Sequence, residues 1–81
     1  MDAETIAKGL SAAQKNAIIR IGEDDEKGAW TGSAGINWIS VALMMRKYGT
    51  NAILEGVPDA ANHCRLNPTG RAVREILLRD Q

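Results

Sequence analysis

Hydrophobic residues along the chain fall into three stripes at helical spacing and one pair of strand-like runs. In the first stripe Ala17, Ile18 and Ile21 share a face, with Gln14 at its start. Ser11 precedes it and Gln14 lies three residues on, the spacing of a capping box in which each side chain accepts from the other's backbone N–H. Gly22 is placed to end this helix in the left-handed conformation. The second stripe runs from Ile36 to Tyr48, where Ile36, Ile39 and Leu43 keep helical spacing and so do Trp38, Val41 and Met45. So wide an apolar arc predicts a largely buried helix at the centre of the fold, closed by Gly49. Asn37, Ser40, Met44 and Lys47 are then its exposed positions. The third stripe, Val73, Ile76 and Leu77, follows Asn67 as N-cap and Pro68 at the first helical position. Arg71, Arg74 and Arg79 take its other faces.

Between the last two helices, Ala52 to Val57 leads into Pro58-Asp59, with proline at the second position of a type I turn. Asn62 to Leu66 returns. Alternation puts Cys64 and Leu66 on one face of this hairpin and His63 and Arg65 on the other. Asp2 to Gly9 predicts no more than a frayed helical turn. Glu23 to Lys27 has no apolar face and reads as a solvated loop, and Gly28 to Gly35 as a glycine-rich loop with Trp30 tucked onto the core. The expected fold is therefore one α+β domain over residues 1–81, mainly α with a small β-hairpin, with residues 1–9 frayed. Its order is helix, loop, helix, hairpin, helix.

Composition narrows the class. A chain of 81 residues holds one core, and 44% apolar with 25% charged residues is a folding balance rather than a disordered one. With Trp30, Trp38 and Tyr48 as its aromatic residues, that core must be aliphatic. Cys64 is the sole cysteine, so no intrachain disulfide forms, and the opening residues lack the basic and apolar regions of a signal peptide. No apolar run is long enough to span a bilayer. The expectation is a cytoplasmic protein with no membrane partner.

Candidate chemistry is sparse. The acidic run Glu23 to Glu26 lacks the alternating ligands and glycine of a calcium loop. The glycine-rich stretch lacks the Gly-Lys-Ser/Thr ending of a phosphate loop, and no apolar strand precedes it. His63 and Cys64 lie on opposite faces of a strand, so they do not pair as base and nucleophile, and no His-Cys set has zinc spacing. The expectation is a domain that is not an enzyme, with no metal and no cofactor. Ten basic and ten acidic residues cancel. Residues 1–27 hold six acids and four bases, and residues 28–81 four acids and six bases, a mild polarity.

Two stretches resemble a known family. Leu10 to Ile21, with its Leu-Ser opening, Gln14 and aliphatic repeat, resembles the first helix of winged helix-turn-helix domains of the MarR-like and small phage type. Leu66-Asn67-Pro68-Thr69-Gly70-Arg71 is similar to the Leu-Thr-x-x-Gly-Arg/Lys segment joining the wing to the closing helix in those domains. The resemblance implies a wing over residues 52–66 and a recognition helix ending at Arg46-Lys47-Tyr48-Gly49. A further helix before the recognition helix is then due within Glu23 to Gly35, about one turn long, or lacking in a reduced variant.

In function, the resemblance implies a transcriptional regulator that binds double-stranded DNA. Asn37 and Ser40 would read base edges, Arg46 and Lys47 hold phosphates, and His63 and Arg65 make wing contacts. The plainer alternatives are a cationic helix end for Arg46 and Lys47 and a solvent-facing hairpin for His63 and Arg65. Weak monomer binding points to a homodimer on paired half-sites. The rival reading is a protein-interaction module on a winged-helix scaffold that no longer binds DNA. A contiguous basic face over Arg46, Lys47 and Arg65 favours DNA, and an exposed apolar patch favours a protein partner.

Overall fold

The computed structural model describes residues 2–24, 27–30 and 32–80. Its elements, in chain order, are α1 (Ala3–Gly9), α2 (Ala12–Ile21), β1 (Ala29–Trp30), α3 (Trp38–Tyr48), β2 (Leu54–Gly56), β3 (His63–Leu66) and α4 (Pro68–Arg79). Each of these helices begins where a polar side chain can accept from a free backbone N–H. Asp2 accepts from Thr5 at 2.8 Å, Asn37 from Ser40 at 3.1 Å and Asn67 from Gly70 at 2.8 Å. Ser11 and Gln14 form the full capping box, at 3.2 and 2.9 Å. The bond from Thr5 also holds the exposed Asp2 carboxyl below its usual range. Asn67 has a second duty, donating its amide to the Asn51 carbonyl at 2.8 Å. Asn67→Ala loses both bonds and is expected to cost about 1–2 kcal/mol in urea unfolding. A cost near zero would show that neither bond matters.

Several elements depart from expectation. Residues 3–9 form a helix rather than a frayed turn, because Ile6 and Ala7 are buried and α1 packs on α4. Gly22 closes α2 but with φ −79°, not left-handed. Its requirement is space: a Cβ there would run into Arg74 and stand 2.7 Å from Leu66. Arg74 crosses at this point to donate its Nε to the Ile19 carbonyl at 3.0 Å, satisfying a helix-end acceptor. The stretch Glu23 to Gly35 contains no helix among the described residues; the element there is β1.

The sheet is antiparallel in the order β1-β3-β2. Ala29 pairs with Cys64 and Trp30 with His63, while Leu54, Glu55 and Gly56 pair with Leu66, Arg65 and Cys64. Gly28 (φ +63°) admits β1 to this position, since a Cβ would collide with the Cys64 carbonyl. At the hairpin tip Pro58 keeps its second position, but Asp59 has φ +62°, which makes the turn type II rather than type I. A second turn follows at once, His63 N–H to Ala60 carbonyl at 3.3 Å, with Asn62 at φ +61°.

The core is aliphatic, as the composition demands. Its centre is α2, whose Ala17, Ile18 and Ile21 are fully buried against α3, α4 and β3. Helix α3 lies to one side. Its buried residues are Val41 and Met44, so Met44 points inward, contrary to expectation. Ile39 and Leu43 face solvent, at 77% and 52% exposure. Of the tryptophans, Trp30 departs from its expected place on the core and Trp38 keeps its place on the apolar stripe. Trp30 is 53% exposed, whereas Trp38 packs on the core and donates its Nε1 to the Ser33 carbonyl at 3.2 Å. No helix among the described residues is long and apolar enough to cross a membrane.

Candidate interaction face on helix α3

Helix α3 starts at Trp38 rather than Ile36 because Asn37 supplies the cap. From there its sides are defined by 3.6-residue geometry and by what packs on each. The inner side is Val41 and Met44, with Tyr48 half-buried one turn further. One flank is tied to α2, where Gln14 Nε2 donates to the Ser40 carbonyl at 3.2 Å. The other flank, Trp38, Ala42 and Met45, walls an open groove of about 350 Å³ whose far side includes Leu54 and Cys64. The outer side carries Ile39, Leu43 and Arg46, at positions i, i+4 and i+7, all exposed.

The six residues singled out from the sequence do not form one surface. Asn37 and Ser40 stand at the start of α3, and the Asn37 amide oxygen is occupied by the cap. Arg46 and Lys47 are exposed at the other end, about 13 Å along the axis at 1.5 Å per residue. Neither makes an ion pair among the described residues. Lys47 places its Nζ 5.2 Å from the centre of the Tyr48 ring. Arg65 is bound to Glu55 across the hairpin, with Nε and Nη2 at 3.1 and 3.0 Å from one carboxylate oxygen. Its partner Glu55 stands at the sheet-side rim of the α3 groove, so the Arg65 charge is spent there on a carboxylate. His63 belongs to a separate polar hollow with Arg20, Glu23, Lys27 and Trp30, its Nδ1 3.0 Å from the Ala61 carbonyl. The basic patch expected from Arg46, Lys47 and Arg65 is thus reduced to the α3 terminus.

Burial pushes the Cys64 thiol up, which keeps it protonated and a poor nucleophile at neutral pH. Among the described residues no three His, Cys, Asp or Glu side chains gather as a metal site.

Spacing alone places Ile39 and Leu43 on an inward stripe. The signal that opposes this assignment is Arg46, which continues the same i, i+4, i+7 line. A base on that line marks the solvent side, and Val41, Met44 and Tyr48 form the competing inward line. Compared with known proteins, the chain matches no family model, no curated protein and no solved structure.

Proposed function

We propose that this protein is a non-enzymatic interaction module on a reduced winged-helix-like scaffold, docking a protein partner on the outer side of α3. The scaffold reading is supported by the order helix, strand, helix, hairpin, helix from α2 to α4 and by the strand order β1-β3-β2. It is reduced because, among the described residues, one helix, α3, separates β1 from β2. The observation that carries the function is the exposed pair Ile39 and Leu43 at 77% and 52%. Fully burying such a side chain is worth roughly 1.5–3 kcal/mol, a gain these two realise only in part in the free protein. Adjacent exposed aliphatics beside a groove match the desolvated centre of an interface with a polar rim.

A second reading, duplex DNA binding with a regulatory role, is favoured by one fact. Residues 28–54 contain no Asp or Glu, and Arg46 and Lys47 make no ion pair among the described residues. Two phosphate contacts give a salt slope of only about −2, too shallow for useful affinity by a monomer. Magnitude therefore ranks the protein partner first.

The test is a pair of measurements. A partner should co-purify with the wild type and be lost with the double variant Ile39→Ser and Leu43→Ser at unchanged melting temperature. Random duplex DNA should not bind at tens of micromolar protein, even at low salt. Duplex binding that Arg46→Ala with Lys47→Ala abolishes would replace this reading with the DNA one.

A further inference from the structure

We infer that the groove and outer side of α3 receive an acidic amphipathic helix from the partner protein. The inference rests on the interaction reading and names the chemistry of the partner.

Groove and outer side are one apolar surface. Trp38 and Met45 line the groove, Ile39 and Leu43 lie outside it, and Ala42 stands between them. The single methyl of Ala42 raises no ridge, so a ligand can lie across both. The cleft, about 350 Å³, is at the small end of the roughly 300–1,000 Å³ typical of ligand sites. It is also open to solvent. That shape suits the apolar stripe of a helix laid along α3, with anchors at i, i+3 or i+4, and i+7.

Charge selects the occupant. Among the described residues the charged one lining the groove is Glu55, whereas the outer line of Ile39 and Leu43 ends in Arg46, with Lys47 beside it. Glu55, at the opposite rim of the groove, is already held by Arg65 at 3.0 Å. The face therefore offers positive charge beside apolar surface, which carboxylates on a partner helix complement. A second copy of this chain fits poorly. Pairing through α3 would bring Arg46 against the positive N-terminal end of the other α3 or against the other Arg46. In neither arrangement does α3 supply a carboxylate.

Trp38 reports on the groove once Trp30→Phe removes the other tryptophan. The probes are a helical fifteen-residue peptide with a leucine stripe flanked by glutamates, and a twin with lysines in their place. The glutamate peptide is expected to shift Trp38 emission and saturate in the micromolar range, and the lysine twin to bind at least tenfold more weakly. Ala42→Glu should abolish the shift at unchanged melting temperature. Arg46→Glu should weaken the glutamate peptide about tenfold and strengthen the lysine twin. Equal binding of the two peptides overturns the acidic chemistry while leaving the interaction reading in place. Binding that survives both Ala42→Glu and Arg46→Glu overturns the location. No binding of either peptide at millimolar concentration overturns the inference, and duplex binding lost with Arg46→Ala and Lys47→Ala overturns the interaction reading as well. A dimer that Leu43→Ser dissolves replaces the acidic helix with a second copy.

Discussion

Met44→Ala is expected to lower the unfolding free energy by about 2–5 kcal/mol, and Leu43→Ala, one residue earlier, by less than about 0.5 kcal/mol. The two side chains are similar in size and both occupy the interior of α3, so propensity does not separate them. What separates them is a turn of 100° about the helix axis. Met44 is fully buried, and truncating it leaves a cavity in the aliphatic core to which it belongs. Leu43 is 52% exposed and leaves no such void. Urea unfolding of the two variants measures the contrast directly. The reverse order of effects would mean that α3 presents its other side to α2, and the interaction face proposed on Ile39 and Leu43 would disappear with it.

Gly70→Val is expected to cost about 3 kcal/mol, the upper part of the range for overpacking, because the obstacle is backbone. A Cβ at this position would collide with the Ile53 carbonyl and stand 3.1 Å from both Ile53 Cγ2 and Leu66 Cβ. The same carbonyl accepts the Asn67 N–H at 2.9 Å, so pushing it aside also loosens the start of α4. Helix propensity runs the other way, since glycine inside a helix is worse than valine. Close packing wins over propensity here. Gly56→Ala is the control: nothing lies within 4 Å of its would-be Cβ, and its stability should stay within about 0.5 kcal/mol of wild type. Equal losses at the two positions would remove the case for close approach at the hairpin-to-helix junction.

The rigidity of α3 bears on function. The helix is anchored at its start by the Asn37 cap and the Gln14 bond to Ser40, and along its inner side by Met44. Its outer side is therefore presented without rearrangement, which lowers the entropy a partner must overcome on docking.

Much of the local structure was legible in the residues themselves. The capping box at Ser11, the cap at Asn67, Pro68 at the first helical position and the alternation in β3 are interactions within a few residues, so sequence spacing contains them. The aliphatic core followed from composition alone. Tertiary structure decided the rest, for reasons of distance along the chain. A two-residue strand such as β1 exists only because β3 is there to pair with it. Gly22 leaves the space that the Arg74 side chain fills on reaching it from α4. Arg65 lost its expected freedom to Glu55 through hairpin register. Helix α3 is the clearest case. It is apolar around most of its circumference, so periodicity allows more than one inward side, and the way it docks on α2 chose Val41 and Met44. That choice left Ile39 and Leu43 outside, and with them the surface on which the proposed function rests.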